Sequence, residues 1–194
     1  MGNESSEIQP MEKICRSREA ITVFVNTSHV TGNVHELPVV PMVMEELIPH
    51  IDQTYRTIAS RDGRAVSGFS MGGGTAASLA FRYPELFSEV TAYAGTYHHY
   101  YHRDYSTVGT PAVEAAAIYR AMMEERKFFD GSIIYELMRS ADRIRDNVKI
   151  ALHVGTEDVL YCDNEILHLH LDALQIPHEY RKYEGADHRL DLIL

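Results

Sequence analysis

Gly68-Phe69-Ser70-Met71-Gly72 is the feature that most restricts what this chain can fold into. A β-prone run, Arg64-Ala65-Val66-Ser67, leads into it, and a small-residue segment, Gly72 to Arg82, leads out. A serine at the point where a strand turns straight into a helix must adopt strained backbone angles, so its flanks must be small. The same turn aims the first helical amides at the serine, where they favour negative charge. The pattern predicts a nucleophile elbow, with Ser70 as nucleophile and the Met71 N–H as an oxyanion donor. Gly73 and Gly74 are expected to let the helix sit close to the sheet.

The rest of the chain alternates strand-like and helix-like segments, which points to an α/β architecture with a mostly parallel sheet. About five strands are expected. Ile21-Thr22-Val23-Phe24-Val25 reads as a buried one, followed by Arg64 to Ser67, Glu89 to Ala94, Val148 to Val154 and His178 to Tyr183. Helices are expected over Pro10 to Ala20, Pro41 to Tyr55, Gly72 to Arg82 and Asn164 to Leu174. Pro49 should bend or split the second of these. The rhythm breaks from Thr96 to Asn147, where Val113 to Arg126 and Ile133 to Ile144 have helical spacing. Residues 96–147 are therefore read as a helical insertion or cap within one domain, 1–194. That segment opens on Tyr97-His98-His99-Tyr100-Tyr101-His102. Following the third strand, it should lie near the C-terminal edge of the sheet. Tyr97, His98 and Tyr101 could there stack on a sugar or an aromatic acyl group. An amphipathic loop that merely covers the sheet is an equal reading.

A serine nucleophile needs a base, and the base needs an orienting acid. On a sheet of this kind the chain order is serine, acid, histidine, with the acid just past a strand end. Val154-Gly155-Thr156-Glu157-Asp158 supplies the acid, and Asp158 is preferred, with Glu157 and Asp163 as rivals. His188 follows the last strand and is the only histidine to do so. Elsewhere, His153 lies within a strand and reads as a satisfied core residue. His168 and His170 are too close together to share one helix face.

Charge and composition remove other classes. A net charge of -10 with no basic stripe argues against a nucleic-acid surface. No apolar run is long enough to span a membrane. Cys15 and Cys162 lie far apart, and no CxxC or clustered Cys/His spacing suggests zinc, so neither metal nor cofactor is expected. No signal peptide opens the chain. As it stands it reads as cytoplasmic, and as secreted if its N-terminus is truncated.

Several stretches together resemble one family. Glu45-Glu46-Leu47-Ile48-Pro49-His50-Ile51-Asp52, Thr54-Tyr55-Arg56 and Ser67-Gly68-Phe69-Ser70-Met71-Gly72-Gly73 carry the likeness. Phe81-Arg82-Tyr83-Pro84-Glu85-Leu86-Phe87, Gly155-Thr156-Glu157-Asp158 and the spacing from Asp158 to His188 extend it. This is similar to the esterase family of α/β-hydrolases that includes feruloyl and acetyl xylan esterases, esterase D relatives and the mycolyltransferases. The resemblance implies an α/β-hydrolase core with Ser70 as nucleophile, Asp158 as acid and His188 as base. It implies a serine ester hydrolase acting on acylated carbohydrate or small acyl esters. An acyltransferase with the same triad and a non-catalytic remnant of the fold are the alternatives.

Members of that family carry further strands and a His-Gly-rich oxyanion loop ahead of the strand equivalent to Ile21–Val25. Neither is found here, so the core is expected to lack its N-terminal strands, and either the Ile21 and Arg64 strands pair directly or a sheet edge is left open. An open apolar edge is a dimerisation hazard, which admits a homo-oligomer.

Overall fold

A computed structural model of the chain describes residues 20–25, 39–97 and 133–194. Val39–Pro41, a π-helical turn Met42–Leu47 and Ile48–Thr54 run on as one helical stretch, α1. The π turn is how the chain absorbs Pro49. Ile48 donates its N–H to Val43, and Pro49 then falls in the first turn of the following α-helix, where its missing donor costs nothing. Asp52, near the end of α1, accepts from the Thr57 hydroxyl at 2.8 Å and pairs with Arg64. These two partners, Thr57 first, hold the Asp52 carboxyl below its ordinary range. They also anchor α1 to the entrance of the sheet.

Four strands follow among the described residues: β1 (Ala65–Phe69), β2 (Glu89–Tyr93), β3 (Lys149–Gly155) and β4 (Glu179–Tyr183). They pair in that order and all in parallel, with Ala65 opposite Glu89, Tyr93 opposite His153 and Gly155 opposite Tyr183. Parallel neighbours need crossovers, and α2 (Met71–Arg82), α3 (Ile133–Arg145) and α4 (Tyr161–Ala173) lie in those connections. Only the central strands are strongly buried; Ala65 and Ser67 of β1 face solvent, as do Glu179, Arg181 and Lys182 of β4.

The main core joins Val39, Val40 and Val43 of α1 to Leu79, Ala80 and Phe81 of α2. Val90, Leu152, Leu167 and Leu171 complete its centre. Alanines at positions 76, 77 and 80 let α2 approach β1 and β2 closely. Ile133, Leu137 and Ile144 of α3 are fully buried in the same core. Within the expected 96–147 insertion, α3 is a core helix packed on α2. Residues 98–132 lie outside the described residues, as do the predicted helix over Val113 to Arg126 and all of Pro10 to Ala20 save its last residue.

One predicted strand is not formed. Ile21–Val25 has no ladder partner among the described residues, and Ile21, Val23, Phe24 and Val25 are 50, 40, 45 and 41% exposed. β-branched and aromatic residues fit a pleated surface, but they become a strand only where another strand offers a register. Among the described residues none does, so the sheet has four strands instead of about five. The edge of β1 carries no partner among them either.

Candidate active site

Ser70 sits between β1 and α2 with φ 57° and ψ −120°, in the left-handed half of conformational space. Three backbone hydrogen bonds hold it there. Its N–H donates to Tyr93 at 2.9 Å, and its carbonyl accepts from Gly74 and Thr96, each at 3.1 Å. The neighbouring strand β2 thereby fixes the elbow. The glycines of the motif are not equivalent. A Cβ at Gly68 would collide with the backbone of Gly72, and one at Gly73 would lie 2.9 Å from the Cα of Gly95. A Cβ at Gly72 would meet nothing among the described residues. Close approach of helix to sheet is thus enforced at Gly68 and Gly73.

Asp158 follows β3 by three residues, and its side chain is fully buried. Its Oδ1 accepts from the Leu160 N–H at 2.7 Å, which fixes the carboxylate plane. The turn that carries it is stitched to the segment after β4. Thr156 N–H donates to Tyr183 and Glu157 N–H to Ala186, each at 3.0 Å, while Gly185 N–H donates to the Thr156 hydroxyl at 2.9 Å. Gly185 supplies the φ of +69° that the turn after β4 needs. Gly155 is obligatory for the same contact, since a Cβ there would strike the carbonyl of Ala186.

These bonds bring His188 over the acid. His188 Nδ1 lies 2.9 Å from Asp158 Oδ2 and 3.0 Å from Oδ1, and its Nε2 lies 2.9 Å from Ser70 Oγ. With Nδ1–H donated to the carboxylate, Nε2 carries the lone pair that faces the serine hydroxyl. The imidazole is 30% exposed, so the site opens to solvent while its acid does not. Phe69 stacks on the His188 ring with centroids 4.7 Å apart and 28° between planes. Phe69 stands at a variable position of the motif, and only its aromatic character hinted at this positioning role.

Of the three candidate acids, Asp158 alone meets His188; Glu157 contributes its backbone to the stitch, and Asp163 lies on α4. Met71 is the first residue of α2, where amides lack an intrahelical acceptor. Tyr97 is a correction: it is completely buried in the main core and offers no surface to a substrate. Its ring closes over Gly95, whose carbonyl accepts from Asn164 Nδ2 at 3.0 Å, and burial pushes its hydroxyl well above the usual range. Aromatic residues after a strand are ambiguous in one dimension, and here the chain turns the first inward. His98 and Tyr101 lie outside the described residues. His153 is a buried strand residue bonded to the Tyr183 hydroxyl at 2.9 Å, as expected.

A parallel sheet, a strained serine at a strand-to-helix turn and a buried aspartate behind a histidine define the α/β-hydrolase class. Within it the chain belongs to the esterase family whose model is described as Putative esterase, matched over residues 35–191. A 50-residue stretch is 44% identical to an esterase of Mycobacterium tuberculosis; it takes up 26% of this chain and 11% of that protein. The chain thus spans a small part of the length of the curated relatives it matches. Among solved structures, a ferulic acid esterase superposes with a TM-score of 0.65 at 20% identity, over 95% of this chain and 70% of that one. The S-formylglutathione hydrolase of Staphylococcus aureus gives 0.57 at 19% identity, over 74% of this chain and 55% of that one. At these identities the two structures share its fold.

Proposed function

We propose that this chain is a serine carboxylic ester hydrolase that works through an acyl-enzyme on acylated carbohydrate or small acyl esters. The observation that carries the reading is the unbroken hydrogen-bond chain from Ser70 Oγ through His188 to the buried Asp158. In this reading His188 Nε2 takes the hydroxyl proton as Ser70 Oγ attacks the ester carbonyl carbon. Asp158 keeps the imidazole in the correct tautomer and stabilises the imidazolium without itself taking the proton. The tetrahedral oxyanion forms against the Met71 N–H at the positive end of α2. Collapse breaks the ester C–O bond, and the leaving alcohol collects the proton from His188. Water then repeats the sequence on the acyl-serine, with His188 again as base, and frees the acid.

Family membership supports an ester as the substrate. The acylated-carbohydrate class rests on the likeness to feruloyl and acetyl xylan esterases, alongside the ferulic acid esterase that shares the fold. The Asn26–His29 stretch, which lies outside the described residues, is the candidate for a second oxyanion donor.

The test is hydrolysis of p-nitrophenyl acetate by the full chain beside Ser70→Ala, with circular dichroism as the folding check and fluorophosphonate labelling as the active-site readout. Turnover and labelling should both vanish in the variant, the rate falling by at least ~10³-fold. Two folded, equally inert proteins would replace the hydrolase with a non-catalytic member of the fold. Ester products formed from added alcohols would shift the reading to acyl transfer.

A further inference from the structure

A second cluster of chemistry-bearing side chains lies where α4 returns toward the N-terminal end of β4. The nucleophile and base stand past the C-terminal ends of β1 and β4, so this cluster is at the other end of the sheet. His168 and Asp172 are one helical turn apart on one face of α4, and His178 immediately precedes β4. One ligand atom from each lies within 4.8 Å of the others. His168 Nδ1 is 2.7 Å from His178 Nε2, and His168 Nε2 is 3.5 Å from Asp172 Oδ2.

The outer contacts orient these groups. His178 Nδ1 lies 2.9 Å from the carbonyl of Ile176, which can only accept. Nδ1 therefore carries the proton, and Nε2 presents its lone pair to His168. A ligating histidine is commonly held in this way, its far nitrogen donated to a backbone carbonyl. His168 is packed against the Tyr180 ring at 4.4 Å, and Tyr180 is itself fixed by donating to Glu165 at 2.7 Å. His170, two residues along α4, turns away and bonds to the Ile166 carbonyl at 2.8 Å.

We propose that His168, Asp172 and His178 form a binding site for a divalent transition-metal ion, zinc above all. Two imidazoles and one carboxylate match the donor preference of zinc and its neighbours, and are poor ligands for calcium or magnesium. Zn–N bonds of about 2.0–2.1 Å at a tetrahedral angle put two ligating nitrogens about 3.3 Å apart, so the imidazoles need part only slightly. On binding, the ion replaces the proton shared between His168 Nδ1 and His178 Nε2. That proton moves to His168 Nε2 by tautomerisation, so each neutral imidazole keeps one N–H and ligates through its other nitrogen, and water completes the coordination. The ligands come from a helix and from the loop entering the next strand, so the ion clips α4 to β4 and binds the folded chain in preference to the unfolded one. The spacing was invisible in sequence because His178 reaches the pair only after the turn at Leu174 to Pro177.

The probe is Co²⁺ titrated into metal-free full chain, with Zn²⁺ as competitor. The expected result is one equivalent of Co²⁺ with tetrahedral d–d absorption, displaced by Zn²⁺, and a Tm that rises with Zn²⁺ concentration. His178→Gln should weaken binding on the order of 100-fold. Asp172→Asn alters an exposed side chain, and serves as the second ligand variant if His178→Gln does not fold. His170→Ala and His188→Ala should bind as the wild type does, which separates this site from another α4 histidine and from the triad. Absence of stoichiometric Co²⁺ binding with the ion in large excess would overturn the proposal. So would binding that survives in both ligand variants, or binding lost in His188→Ala.

Discussion

Ser70 holds backbone angles that an L-residue avoids, and this strain can be measured separately from its chemistry. Compare Ser70→Gly with Ser70→Ala. Both remove Oγ, so both lose the contact with His188 Nε2 at 2.9 Å, and that loss cancels. They differ in the Cβ, which alanine keeps at φ 57°, ψ −120° and glycine sheds. Holding a non-glycine residue there costs on the order of 1–3 kcal/mol. Glycine returns about 0.4–1 kcal/mol of that through the greater freedom of its unfolded chain. The net expectation is that Ser70→Gly is more stable than Ser70→Ala by about 1 kcal/mol, or roughly 2–4 °C in Tm for a domain of this size. Urea denaturation followed by circular dichroism measures it, with neither variant hydrolysing p-nitrophenyl acetate. If Ser70→Gly proves equal to or less stable than Ser70→Ala, the elbow is not strained, and the three backbone bonds that hold it are not opposing a conformational preference.

Gly68→Ala should destabilise by at least ~3 kcal/mol, because its Cβ would overlap immovable backbone of Gly72, whereas Gly72→Ala should change stability by less than about 1 kcal/mol; thermal melts of the pair decide this. Asp158→Asn should keep the fold but lower kcat by on the order of 10⁴-fold, since the amide no longer selects the Nδ1–H tautomer of His188, and steady-state kinetics would read it. His153 has its pKa lowered from 6.5, first by burial and then by Arg181. The unfolded chain therefore takes up a proton before the folded one does, and the His153 contribution is intact above pH 6.5 and lost as pH falls below it. His153→Gln, which can still bond the Tyr183 hydroxyl, should show a shallower loss of stability between neutral and acid pH; parallel profiles for variant and wild type would contradict the assignment.

Much of the site was legible because its parts are local. A strand, a serine between glycines and a small-residue helix lie within one stretch of chain, and Ser70 is found at that turn with its strained φ. The order of serine, acid and histidine follows from where strand ends fall, and β1, β3 and β4 end close to where hydrophobic patterning placed them. Less legible were the groups whose roles depend on a neighbour distant in sequence. The choice among Glu157, Asp158 and Asp163 was made by the stitch between the turns after β3 and β4, which sets one carboxylate beneath the imidazole. Phe69 orients His188 from across the chain.

Sequence alone determined the α/β alternation, the elbow and the serine on it, since backbone sterics and side-chain periodicity act over a few residues. Tertiary structure alone decided whether an apolar run is covered. Ile21–Val25 has the composition of a strand, but a strand exists only in the presence of its partner's hydrogen bonds, and no described strand supplies them. Tyr97, equally apt for a substrate surface, is instead wholly buried in the core with its ring over Gly95. The same long-range folding brings His178 to His168 and Asp172. Burial and convergence depend on which distant segments meet, and local pattern does not encode that.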